Sequence, residues 1–152
     1  MRISAKADYA VRAAVELAAS DVGGPVKGER IADAQKVPLR FLENILGELR
    51  HAGLVQSQRG AEGGYWLSRH PEDISLAEII RAVEGPLASV RGERPEDLEY
   101  RGASQPLQEV WIALRANIRE VLESVSIADV VAGELPPELA ELTESSDVWQ
   151  PH

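Results

Sequence analysis

Apolar positions along this chain recur with a helical rhythm almost throughout and alternate like a strand in one place only. Ser4 suits a helix cap, and behind it Tyr9, Ala10, Ala13, Ala14, Leu17 and Ala18 share one face of a helix running to about residue 19. The stretch DVGGP, residues 21–25, reads as a turn. A short helix over about 27–35 follows, with Ile31 and Ala32 inward, and only Lys36 and Val37 separate it from Pro38. Proline suits a first helical turn, where its missing N–H has no partner to lose. Leu42, Ile45, Leu46 and Leu49 then mark one buried helical face, while Arg40, Phe41, Glu43, Asn44 and Arg50 occupy the other. Two helices joined by so short a turn form a helix-turn-helix, the second helix (38–52) being the recognition element.

Gly53 stops that helix, and residues 55–67 change to alternation around a glycine-rich tip, GAEGG. This is a tight hairpin, a wing. HPED, residues 70–73, is a further turn; Ser75 opens a fourth helix with Leu76, Ile79, Ile80 and Val83 inward, ended by Gly85 and Pro86. Residues 86–105 hold glycine, proline and charge without periodicity and read as an irregular loop. From 106 to about 127, Leu107, Val110, Trp111, Leu114, Ile118, Val121, Leu122 and Val125 step by three or four, a stripe wider than one small domain needs. A helix of ~20 residues would reach ~30 Å. A short helix over 127–132 and an acidic, mobile tail over 134–152 complete the chain. The expected fold is mainly α with a small β-wing: a winged helix-turn-helix domain (1–85), the loop (86–105), and a long C-terminal dimerisation helix with its short follower (106–133).

Charge sharpens this picture. The chain carries −9 overall, which by itself argues against nucleic acid. Its distribution reverses that inference: up to residue 70 there are ten Lys/Arg against eight Asp/Glu (net +2), and beyond it six against seventeen (net −11). Phosphate attraction acts over a Debye length of ~8 Å, so the local balance decides, and the acidic half is expected to face away from DNA. With no cysteine there is no disulfide, thiolate metal site or thiol switch. No apolar run spans a membrane and no leader is visible, so the expected location is cytoplasmic.

The candidate chemistry is recognition rather than catalysis. Arg40, Asn44 and Glu43 suit base edges: arginine donates to guanine, asparagine pairs with adenine, a carboxylate accepts from cytosine. Lys27, Arg50 and Ser57 suit phosphates. Arg59, next to Gly60, suits a wing entering a narrow minor groove, where negative potential is enhanced. Phe41 could touch a thymine methyl or pack on the first helix; the pattern leaves both open. Any amphipathic helix has a polar face, so the helix alone is weak evidence, and the adjoining wing strengthens it. The glycines of 60–64 lack the lysine and Ser/Thr that a phosphate-cradling loop needs, because Tyr65, Trp66 and Leu67 continue as strand. His51, His70 and His152 are scattered, and no nucleophile–base set occurs, so neither a metal site nor an enzyme is indicated. The 107–125 stripe fits intrachain core, a partner helix or a homodimer; the last is favoured because DNA-reading helices work in pairs, with Trp111 as anchor.

These stretches resemble the Rrf family of bacterial transcription regulators, the IscR/NsrR/CymR type. MRISAKADYAVRA, GPVKGERIA, VPLRFLENILGELRHAGLVQSQRGAEGGYWLSR and ISLAEIIRAVEGPL carry the likeness over roughly residues 1–87. Beyond them, only Trp111 and the helical stripe are similar to the family's long dimerisation helix. The resemblance implies a homodimeric winged-helix repressor or activator of double-stranded DNA, with Arg40, Phe41, Glu43 and Asn44 at recognition positions and Arg59–Gly60 at the wing contact. Family members with an iron–sulfur cluster hold it with three loop cysteines. Here Gly92 stands where the first is expected, Gln108 where some members have a ligating histidine, and Asp8 where some relatives place a carboxylate. No cofactor is expected. Two other partners remain open: a protein bound by the winged-helix face, or a small effector held between Asp8, the 86–105 loop and Trp111.

Overall fold

The computed structural model describes residues 2–20 and 23–151. Part of the turn expected at 21–25, and His152, lie outside the described residues. Among the described residues, seven α-helices and one hairpin follow in order: α1 (Ala5–Ala19), α2 (Gly28–Gln35), α3 (Leu39–His51), β1 (Val55–Gln58), β2 (Gly64–Leu67), α4 (Leu76–Glu84), α5 (Leu107–Ser124), α6 (Ile127–Ala132) and α7 (Pro137–Thr143).

Local chemistry sets most of these boundaries. The Ser4 hydroxyl accepts from the Ala7 N–H and starts α1. Ser75 and Glu78 form a reciprocal capping box at α4, as do Ser126 and Asp129 at α6. Pro38 caps α3 from just outside it, one position earlier than a first-turn proline. Lys36 turns the chain between α2 and α3 in the left-handed conformation, φ 56°. Trans-helix packing then supplies the core: Leu42, Ile45, Leu46 and Leu49 of α3 are buried against α1, whose Ala10, Ala13 and Ala14 allow close approach. Each buried leucine or isoleucine contributes roughly 1.5–3 kcal/mol, so these four side chains hold α3 firmly on α1. On α1 Tyr9 and Ala18 are only half-buried, and on α4 Ala77 takes the fully buried place expected of Leu76.

The wing is a two-stranded antiparallel ladder with Val55 opposite Leu67 and Gln58 opposite Gly64. Val26 joins it edge-on, exchanging backbone hydrogen bonds of 2.8 Å with Tyr65 in both directions. That bridge ties the wing to the segment leading into α2.

Two expectations need correction at the C-terminal side. The long helix ends at Ser124, not near residue 127, because Val125 is extended (φ −103°, ψ 119°) and its carbonyl accepts from the Leu76 N–H. Val125 is therefore buried in its own chain at 2 % exposure and leaves the stripe on which it was expected. Ile127, fully buried, joins the core built by α1 and α3, so the segment after α5 returns to the winged-helix domain. The acidic tail, expected to be mobile, carries one further helix. Pro137–Thr143 forms α7, Trp149 Nε1 donates to the Thr143 carbonyl at 2.8 Å, and its residues remain largely exposed.

Residues 86–105 hold two short 3-10 turns, Pro95–Asp97 and Gly102–Ser104, and are anchored to the rest of the fold. Pro95 and Leu98 are buried, and Gln108 Nε2 lies within hydrogen-bond distance of the carbonyls of Leu98 (2.8 Å), Glu96 (3.1 Å) and Pro95 (3.3 Å). No helix among the described residues is long and apolar enough to cross a membrane.

Candidate nucleic-acid interface

The exposed face of α3 follows directly from the burial of the opposite one. With Leu42, Ile45, Leu46 and Leu49 packed inward, the 3.6-residue period leaves Arg40, Glu43 and Asn44 outward as one cluster at spacings of three and four. All three are exposed. Phe41, 40 % exposed, lies beside them and packs edge to face on Tyr9 of α1. Of the two roles left open for it, packing on the first helix is realised.

At the other end of α3, Arg50 Nη1 donates to Ser57 Oγ at 3.0 Å. This contact joins the end of α3 to β1. Arg59 leaves β1 exposed, and the turn beyond it closes by a 3.0 Å bond from the Gly63 N–H to the Gly60 carbonyl. Gly60 takes φ 104°, which a side chain would resist. Lys27 is exposed as the residue preceding α2. The structure thus groups Arg40, Glu43 and Asn44 on the helix, joins Arg50 to Ser57, and leaves Arg59–Gly60 at the wing. Lys6 pairs with Glu48 at 2.9 Å, neutralising a carboxylate on α3 itself.

The turn of the helix-turn-helix is held by a side chain that patterning did not single out. Arg12 of α1 donates through Nε to Gln35 Oε1 at 3.2 Å and through Nη2 to the Gln35 carbonyl, and pairs with Asp8 at 3.1 Å. Gln35 Nε2 in turn donates to Glu16 at 2.8 Å. Arg12 also lies over the Tyr9 ring, 5.3 Å from its centroid. One guanidinium therefore bridges the end of α2 to the aromatic pair that supports α3. Helical periodicity reports which residues face inward, not which polar side chains meet across elements, so only the YAVRA stretch hinted at it.

The donor set does not fit an iron–sulfur cluster. The sequence offers no thiolate. Asp8 is engaged with Arg12, and the Gln108 amide is held by the loop carbonyls. Among the described residues no three His, Asp or Glu side chains gather as metal ligands.

Comparison with known proteins gives the same lineage. Residues 3–133 match the family model described as Rrf2, iron-dependent transcriptional regulator. The chain is 50 % identical over 144 residues to Rv1287 of Mycobacterium tuberculosis, named as an HTH-type transcriptional regulator, covering 95 % of this chain and 89 % of that protein. The structure of CymR from B. subtilis superposes with a TM-score of 0.73 at 35 % identity, covering 87 % of this chain and 97 % of that one. T. potens IscR gives 0.70 at 32 % identity, covering 99 % and 97 %. Winged-helix fold and these likenesses converge: the chain belongs to the Rrf2 family of DNA-binding transcriptional regulators, not to an enzyme family.

Proposed function

We propose that this regulator binds a roughly palindromic operator as a homodimer, with α3 in the major groove and the β1–β2 wing in or near the adjacent minor groove. The observation that carries the reading is the exposed Arg40, Glu43 and Asn44 cluster on α3, a helix joined to the wing by the Arg50–Ser57 hydrogen bond. In this reading Arg40, Glu43 and Asn44 read base edges, Lys27, Arg50 and Ser57 position the backbone, and Arg59–Gly60 enter the groove. Phe41, itself on α3, braces that helix against Tyr9 of α1.

The long helix supports dimerisation by what it leaves uncovered. None of its residues is buried within the chain; Leu107, Val110 and Ile112 are exposed, and Trp111, Leu114, Ile118, Val121 and Leu122 only partly covered. An apolar groove of about 430 Å³ runs between Ile3 and Ile118, Val121 and Leu122. A second copy laid along this face would bury it and set the two α3 helices for half-sites ~34–36 Å apart. Residues 1–85 then serve as the reading domain and 106–124 as the pairing helix. Operation in the cytoplasm and repression of the bound promoter complete the reading.

Selection of bound DNA from genomic fragments, followed by anisotropy titration over a salt series, tests it. The expected outcome is an inverted-repeat site and a log affinity falling steeply with log salt, since phosphate contacts release counterions. A flat salt slope would turn the face toward a protein partner instead.

A further inference from the structure

The acidic C-terminal half contains six basic residues, all arginine, and four of them converge on one cavity. Arg81 of α4, Arg94 of the loop, and Arg115 and Arg119 of α5 line a space of about 400 Å³ with Glu96. Its remaining wall is Gly85, Pro86 and Leu87, where α4 ends. In a segment with net charge −11 an even scatter of arginine would not gather this way. Two carboxylates already answer the cluster: Glu96 pairs with Arg115, while Glu123 pairs with both Arg81 and Arg119, the latter at 3.3 Å. Among these groups, four guanidiniums face two carboxylates, Glu96 in the lining and Glu123 beside it, a balance of two positive charges. These ion pairs are partly exposed, and such pairs are individually weak, so a better-placed anion can take over their donors. Arginine forks match carboxylate and phosphate oxygens two at a time, which a lysine cluster would not do.

We propose that this cavity is a binding site for a small dianion, a phosphate monoester or a dicarboxylate, and that it serves as an effector site. Its position gives the reason. The lining comes from α4, part of the winged-helix domain, from the loop, and from α5, so an occupant holds the reading domain and the pairing helix in one relative pose. Arg94 brings a donor that the intrachain carboxylates do not claim in a bond; Arg115 and Arg119, four residues apart on α5, present adjacent forks. The effector role, unlike the site itself, rests on the DNA-binding reading above.

The test uses the full chain without DNA first. Thermal unfolding is followed while sodium chloride is exchanged at constant ionic strength for inorganic phosphate or for succinate, the two arms separating the two dianion classes. A saturable rise in Tm is expected with one of them, and isothermal titration of the Arg94→Gln/Arg119→Gln variant is expected to show affinity weakened about tenfold or more. Arg94→Gln alone, at an exposed loop position, serves if the double variant folds poorly. A rise that chloride reproduces, or that the variants retain in full, overturns the site. Operator affinity is then measured with and without the anion at fixed ionic strength. A shift that the variants abolish supports the effector role; saturable binding with operator affinity unchanged overturns that role and leaves the anion site. A chain that binds the anion but no DNA would refute the operator reading alone.

Discussion

Tyr9 and Phe41 meet edge to face, ring centroids 5.7 Å apart and planes at 84°, so α3 is braced on α1 at its first turn. Phe41 is the only phenylalanine in the chain, and it sits beside the residues expected to read bases. Aromatic pairs of this geometry contribute ~0.5–1.5 kcal/mol beyond area burial. Phe41→Leu should therefore lower unfolding stability by about that amount in a urea titration, while the DNA sequence preferred in a selection stays the same. A changed preference at one base pair would instead assign Phe41 a direct contact.

In the proposed reading Arg40 contacts a base and Arg59 the groove, and two substitutions separate these roles. Arg40→Ala should weaken operator binding by ~1–3 kcal/mol with little effect on random DNA, if its fork meets a base. Equal loss on both would make it a backbone contact. Arg59→Ala should weaken binding and shift selection away from A·T-rich flanks, where a narrow minor groove favours arginine; unchanged affinity would take the wing off the contact surface.

Three glycines should respond with opposite signs. A Cβ on Gly64 would stand 2.5 Å from the Val26 carbonyl oxygen, and one on Gly63 2.2 Å from that of Gln58. Gly64→Ala must push the wing off Val26 and should cost ~1–3 kcal/mol, as overpacking does. Gly47, inside α3, has nothing within 4 Å of its would-be Cβ. Gly47→Ala should stabilise by ~0.5–1 kcal/mol through helix propensity, read as a rise in the urea midpoint.

Acid should destabilise this protein through carboxylates held in partnerships. Glu123 is kept below its ordinary value of 4.5 by its hydrogen bond to Arg81 and by Arg119. Asp129 is kept below 3.8 by the Ser126 N–H and hydroxyl. A carboxylate whose folded pKa is depressed contributes stability above its unfolded pKa, and that contribution is lost as pH falls through the folded one. Tm should thus be level above about pH 5 and decline below about pH 4. Asp129→Asn, which keeps shape but not charge, should lower the plateau and flatten the decline. A variant parallel to wild type at every pH would remove Asp129 from the acid response.

Much of the reading unit was legible because it depends on short-range rules. Ser4 and Ser75 announce helix starts through their caps, and the spacing of Leu42, Ile45, Leu46 and Leu49 determines which face of α3 is left for Arg40, Glu43 and Asn44. The C-terminal side was less so. A step of three or four continues from Leu122 to Val125, yet the helix stops at Ser124 because Val125 pairs by backbone with Leu76, a residue far away in the chain.

By itself, then, the sequence determined the helix-turn-helix, the wing, the absence of thiolate ligands and the polar face of α3, since each rests on periodicity, turn chemistry or composition. Only the tertiary structure decided that Phe41 packs on Tyr9, that Arg12 clamps Gln35, that Ile127 completes the winged-helix core, and that Arg81, Arg94, Arg115 and Arg119 share one cavity. These are pairings between side chains on different elements. Hydrophobic period specifies which way each helix faces, but the meeting of two polar or aromatic groups depends on how the packed helices are aligned, which no local pattern contains.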